Sequence, residues 1–343
     1  MKTKTAIATA LLYSTALIAA AGPGDNIPGV FIERKKTIVK VFDVRPNEML
    51  NIDNRYGDVK VLLWEKQAIR IDITITANAP SEQKVSEAIN AVDIEEKRGN
   101  NNITVQTVLG PGTQRINWRG KKGENSLRID YLIQMPKQNP LNLKNSYGDT
   151  DIARFIAPLA VETRYGNFRA EDLASMANDI IVQYGNAVIG QMGMGKLHSN
   201  HSEINLEKVK SLELVNKFGS LNIGEVGSLK ADIGYCGARI GTLTDNGTVK
   251  VHYSNNFSIN ESTADNIDIQ AAYSEVVIPV RQPAKFDVSV TYGNFQYPTK
   301  TAVSFTNKSG TSKTKQYEGN IGSEQPASTI RVISTYGNVK LKD

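Results

Sequence analysis

The stretch Val161-Glu162-Thr163-Arg164-Tyr165-Gly166-Asn167-Phe168-Arg169-Ala170 carries the pattern that decides the fold. An alternating segment runs into an aromatic residue, a glycine and an amide, and alternation resumes beyond them. The triplet recurs as Tyr56-Gly57-Asp58, Tyr147-Gly148-Asp149, Tyr184-Gly185-Asn186, Tyr292-Gly293-Asn294 and Tyr336-Gly337-Asn338. Degenerate copies fill the gaps: His201-Ser202-Glu203, Phe218-Gly219-Ser220, Tyr235-Cys236-Gly237, Tyr253-Ser254-Asn255 and Tyr273-Ser274-Glu275. From Tyr147 to Tyr292 the steps are 18, 19, 17, 17, 17, 18, 20 and 19 residues. A fixed period of this length marks a chain that lays one layer on the last. The expected fold is all-β, a parallel β-solenoid (β-helix) of about 18 residues per rung.

With the aromatic residue at position zero, positions +3 and +5 are mostly apolar, as in Leu221 and Ile223 or Val276 and Ile278. The residue between them is commonly polar, as in Lys60, Arg169 and Asn222. Apolar residues also favour −6, −4 and −2, as in Leu229, Ala231 and Ile233. Such alternation describes two short half-buried strands that meet at the triplet. Counting by twos puts the aromatic residue on the same face as −2 and −4, so it is expected to point inward as a buried ladder. The opposite expectation is an exposed row awaiting a sugar or a base. Glycine at +1 is expected to supply positive φ, with Asp or Asn completing the turn. The structural corners are therefore Tyr56, Tyr147, Tyr165, Tyr184, Phe218, Tyr235, Tyr253, Tyr273, Tyr292 and Tyr336.

Asn54-Arg55-Tyr56-Gly57-Asp58-Val59, Ile129-Asp130-Tyr131 with Met135-Pro136, and Asn145-Ser146-Tyr147-Gly148-Asp149 resemble the bacterial putative adhesin family of β-strand-repeat proteins. The resemblance covers about Lys36 to Asp343. It departs in the middle, where His201 replaces the aromatic residue, Cys236 replaces glycine, and Tyr253 is followed by a one-residue insertion. That family has no settled activity, so the resemblance implies the architecture and carries over no active site.

Residues 1–21 read as a signal peptide, with Lys2 and Lys4 before an apolar run from Ala6 to Ala20 and small residues at Ala19-Ala20-Ala21-Gly22. The protein is thus expected to be exported to the periplasm, the cell surface or the medium. No transmembrane segment is expected once the leader is removed. Residues 22–144 read as a β-rich N-terminal cap with one short helix near 81–92, where Val85, Ala88, Ile89 and Val92 share a helical spacing after Ser81. A cap is needed because the end of a strand stack exposes unpaired backbone. Residues 145–343 read as the repeat domain, with a loop or hairpin insertion near 299–325.

Lys and Arg number 40 against 35 Asp and Glu, a near balance that narrows once Lys2 and Lys4 leave with the leader. Nucleic-acid binding needs a concentrated basic face and is not expected. Cys236 is the single cysteine, so no intrachain disulfide forms. His198 and His201 have a ligand-like spacing, but alternation sends one outward and one inward, and neither a metal nor a cofactor is expected. Outward acids such as Asp151, Glu162 and Asp232 are scattered among cations rather than aligned as a catalytic pair. One segment looks made for contact: Arg115, Trp118, Arg119, Lys121 and Lys122 combine an indole with four cations, which suits an anionic partner.

The functional expectation is an exported non-enzymatic β-solenoid, an adhesin-like binding protein or cell-envelope scaffold whose partner is a cell-surface glycan or an envelope protein. The alternative is a carbohydrate-active β-helix enzyme, either a polysaccharide lyase or a hydrolase. A groove with convergent carboxylates would favour the enzyme.

Overall fold

A computed structural model describes residues 31–110, 125–323 and 325–343. The expected leader, residues 1–21, lies outside them. The described chain is all-β with one short helix, and its sheet is not closed into a barrel. It divides into two compact units, one ending at Arg169 and the other beginning at Ala170.

In the first unit, strands Met49–Arg55 and Val59–Trp64 flank Tyr56 and form the middle layer. On one side they pair in parallel with Leu141–Ser146 and Thr150–Phe155. On the other they pair in parallel with Asn102–Leu109 and Ser126–Pro136. Ala68–Ala79 and Ile32–Asp43 then extend this end as antiparallel strands, while Val92–Gly99 runs antiparallel to Asn102–Leu109. The helix Glu82–Asn90 connects the two extensions. The Ser81 side chain caps it by accepting from the Lys84 amide, and Val85 and Ala88 are its buried residues. Lys40 and Glu96 form an ion pair (2.9 Å) between the strands Ile32–Asp43 and Val92–Gly99. Antiparallel strands and a helix thus lie at this end of the parallel layers.

In the second unit, Asn186–Asn200, Glu203–Lys217, Ser220–Gly234 and Gly237–His252 stack in parallel. Asn186, Glu203, Ser220 and Gly237 occupy equivalent positions in successive layers, so the sequence step becomes the pairing register. A bulge follows Val226, and the next layer pairs Ala238 with Phe257 and then Asn246 with Asn266. The apolar set at +3, +5, −6, −4 and −2 is buried: Leu221, Ile223, Leu229, Ala231 and Ile233 in one layer. Each large aliphatic side chain removed from water contributes roughly 1.5–3 kcal/mol.

Spatial order departs from sequence order at the far end. Stacked in sequence order, the last strand pair would close the stack. Instead, Ser328–Thr335 lies between Asn266–Ala272 and Ala284–Thr291, in parallel with both. Val339–Lys342 lies likewise between Val276–Pro279 and Phe295–Gln296. The hairpin Val303–Gly310 and Thr314–Ile321 is outermost, antiparallel to Ala284–Thr291. Phe295, Tyr297, Phe305 and Tyr317 cluster there beside the buried ring of Phe286.

Candidate functional site: the corner aromatic column

Every corner holds its aromatic residue, or His201, in left-handed backbone, with φ between 51° and 67°. A bulky residue there costs about 1–2 kcal/mol. The expectation that these rings point inward is corrected. Alternation holds only along extended backbone, and positive φ at position zero turns the side chain out of the pleat. The column is half-exposed: Tyr165 is 42 % accessible and Tyr235 49 %. His201 is exposed as well, and so is His198, so both imidazoles of the spaced pair face solvent.

The rings stack face to face within each unit. In the first, Tyr56 and Tyr147 have centroids 5.1 Å apart, and Tyr147 and Tyr165 4.9 Å. In the second, the column runs Tyr184, His201, Phe218, Tyr235, Tyr253, Tyr273, Tyr336, Tyr292, with spacings of 4.8–5.1 Å and planes within 12° of parallel. This is the strand spacing of the sheet, so the backbone ladder sets the ring spacing. Partial burial pushes the Tyr56 phenol up, and Tyr147 alongside adds to the effect.

The glycine expectation is corrected too. The corner glycines do not supply the positive φ, which among described glycines is confined to Gly310 and Gly322. They are needed for close approach. A β-carbon on Gly148 would overlap the carbonyl oxygen of Gly57, and one on Gly166 that of Gly148. Where serine takes the slot, as at Ser202 and Ser274, its buried hydroxyl donates to the carbonyl of Asn200 (2.9 Å) or Ala272 (2.8 Å). Cys236 is buried in the same slot. Burial pushes its thiol up, while the Asn216 side chain donates to Sγ at 3.1 Å.

The acid or amide at +2 links the layers. Asp58 Oδ1 accepts from the Asp149 amide (2.9 Å), and Asp149 Oδ1 accepts from the Asn167 amide (2.8 Å) and side chain (3.0 Å). Burial pushes the Asp149 carboxyl up, but the Asn167 donors and the Arg169 charge outweigh it and hold the group below its usual range. Charged residues beside the column neutralise one another. Arg128 bridges Asp130 and Asp58 at 2.7 Å each, and Glu213 pairs with Lys230 (2.9 Å) and Lys196 (3.8 Å).

Sequence reasoning missed a buried polar ladder behind the first-unit corners. Tyr131 and Thr107 share a hydrogen bond (2.9 Å), and Thr107 donates to Asn54 Oδ1 (3.0 Å). Asn54 donates to Asn145 Oδ1 (3.2 Å) and to the carbonyls of Gly57 and Ile129. Asn145 continues to Thr150, which accepts from Thr163 (3.1 Å). Asn54, Asn145 and Thr163 stand at −2, where Val182, Ile233, Val251, Ala271 and Val290 are apolar but Ser199, Asn216 and Ser334 are again polar and buried, so polar residues at that position were the available signal.

Arg115, Trp118, Arg119, Lys121 and Lys122 lie outside the described residues. The strands that flank their segment, Asn102–Leu109 and Ser126–Pro136, pair with the strands on either side of Tyr56. Among the described residues, no group of three His, Cys, Asp or Glu is placed to hold a metal. A shallow depression in the second unit is lined by Asp172, Lys208, Glu225 and Asp245, with Glu225 paired to Lys208 at 2.9 Å. No described helix is long and apolar enough to cross a membrane.

A stacked all-β chain with a surface column of corner aromatics is the class that this geometry defines. Within it, the chain belongs to the Toastrack DUF4097 family, whose model matches residues 26–342. Comparison with curated proteins gives no match. Among solved structures, the chain is similar to a putative adhesin from Parabacteroides distasonis, at 12% identity over 91% of this chain and 97% of that one, with a TM-score of 0.32. A putative cell adhesion protein from Clostridium sporogenes matches at 12% identity over 89% and 98%, with a TM-score of 0.21. A putative lipid binding protein from Parabacteroides distasonis matches at 14% over 89% and 96%, with a TM-score of 0.28. These scores are low, and the family model alone identifies the chain.

Proposed function

We propose that the chain is an exported, non-enzymatic parallel β-solenoid that works through its surface, as an adhesin-like binding protein or a cell-envelope scaffold. One observation carries this reading. Ring after ring is held outward in a backbone conformation that opposes folding, at corners where the core has no use for it. A contiguous half-exposed aromatic strip is the kind of surface that proteins keep for contact. The partner class is a cell-surface glycan or an envelope protein, reached across a face on which Arg128, Glu213 and Lys230 are paired with neighbouring charges.

The competing reading is a carbohydrate-active enzyme, for which Asp172, Glu225 and Asp245 around the second-unit depression are the candidate acids. An array of glycans and envelope polymers, probed with the full chain and a Tyr253→Ser, Tyr273→Ser, Tyr336→Ser variant, tests the proposal. Selective binding that the variant loses is the expected result. Glycan turnover abolished by Asp172→Asn with Asp245→Asn, or binding indifferent to the tyrosines, overturns it.

A further inference from the structure

Five consecutive members of the second-unit column carry a phenol: Tyr235, Tyr253, Tyr273, Tyr336 and Tyr292. Their centroids are 4.9, 4.9, 4.8 and 4.9 Å apart in that order, and adjacent planes lie 8°, 2°, 11° and 5° from parallel. All five are 47–49 % accessible. Phe218, with no phenol, stacks on the far side of Tyr235. At the other end, the Lys313 ammonium sits 5.9 Å from the centre of the Tyr292 ring.

We propose that these tyrosines form an oxidative cross-linking site, at which neighbouring layers are joined as dityrosine when a haem peroxidase and hydrogen peroxide supply the oxidising equivalents. Two phenols each give up one electron and one proton. The peroxide takes both pairs and leaves as two waters. The two phenoxyl radicals join through ring carbons ortho to oxygen. The hydrogen on each joined carbon then moves to its oxygen and restores the phenols.

The column favours this reaction over encounter between separate molecules because the partners are already held side by side, which raises their effective concentration by orders of magnitude. Half-exposure matters twice: the oxidant reaches each phenol, and the outer edge of each ring is free to tilt toward its neighbour. Tyr336 gives the site its consequence. The strand that leads into it, Ser328–Thr335, follows Ala284–Thr291 in sequence but lies between that strand and Asn266–Ala272. Bonds from Tyr336 to Tyr273 and Tyr292 would therefore tie that strand covalently to both.

The test is oxidation of the dilute full chain with a haem peroxidase and hydrogen peroxide, read by dityrosine fluorescence and by mass mapping of linked peptides. The expected pairs within one molecule are Tyr235–Tyr253, Tyr253–Tyr273, Tyr273–Tyr336 and Tyr336–Tyr292, together with the equally stacked Tyr56–Tyr147 and Tyr147–Tyr165 of the first unit, with Tyr131 unmodified because it is buried. Tyr336→Phe should abolish the two pairs that contain Tyr336, keep the others, and cut the fluorescence by about a third. The column already contains Phe218 at an equivalent corner, so this variant retains the fold. Cross-links only between molecules, pairs not adjacent in the column, no dityrosine while free tyrosine is oxidised alongside, or an undiminished yield in Tyr336→Phe would each overturn the proposal.

Discussion

Gly148 lies so close against Gly57 in the neighbouring layer that a β-carbon on Gly148 would overlap the Gly57 carbonyl oxygen. The obstacle is backbone, fixed by the parallel ladder on both sides of the corner, so it cannot move aside as a flexible side chain would. Gly148→Ala should destabilise by about 2–4 kcal/mol, read as a lower urea midpoint. Gly237, where a β-carbon would meet nothing within 4 Å, is the matched control. Gly237→Ala should be neutral or raise stability by up to about 1 kcal/mol.

Truncation after Ala327 removes the strands Ser328–Thr335 and Val339–Lys342 and tests the interleaved order. A chain stacked in sequence order would lose only its last layer. Here the layers containing Ile267 and Phe286 both lose their partner. The hydrogen-exchange protection of Asn266–Ala272 and Ala284–Thr291 should fall together, while that of Glu203–Lys217 persists.

Asn54 is fully buried, and its side-chain amide donates to two carbonyls and to Asn145. Asn54→Leu leaves those acceptors and the Thr107 hydroxyl without this partner in a low-dielectric interior, at a cost of about 3 kcal/mol in chemical denaturation. Asn222→Ala, on the exposed side of its strand, should change stability by less than about 0.5 kcal/mol.

Asp149 sets an acid limit. Its carboxyl titrates lower in the folded chain than in the unfolded one, where the value is about 3.9. The unfolded state therefore takes up the proton first as pH falls. The stabilisation is complete above that value and is lost as pH drops through the folded one. Thermal midpoints followed from about pH 5 downward should fall less steeply in Asp149→Asn than in the native chain. An unchanged slope would exclude this carboxylate as a contributor.

Much of the fold was legible because a short period exposes its own register. Leu221, Ile223 and Ile233 are buried where alternation put them, and the steps of 17 between His201, Phe218 and Tyr235 became residue-by-residue parallel pairing. The stacking of the corner rings was legible for the same reason. Their direction was not. Alternation presumes extended backbone, and position zero is where the backbone leaves it. The role of glycine was likewise misread, because its demand comes from a carbonyl about a whole layer away rather than from its own φ.

What the sequence alone determined, then, is the repeat, its strand faces and the residues that make each corner, all local consequences of residue type and spacing. Tertiary structure decided which layers touch. The last strand pair could enter between Asn266–Ala272 and Ala284–Thr291 because the layers present closely similar apolar patterns and the same ladder of backbone donors and acceptors. When neighbouring layers are chemically alike, sequence pattern does not fix their order.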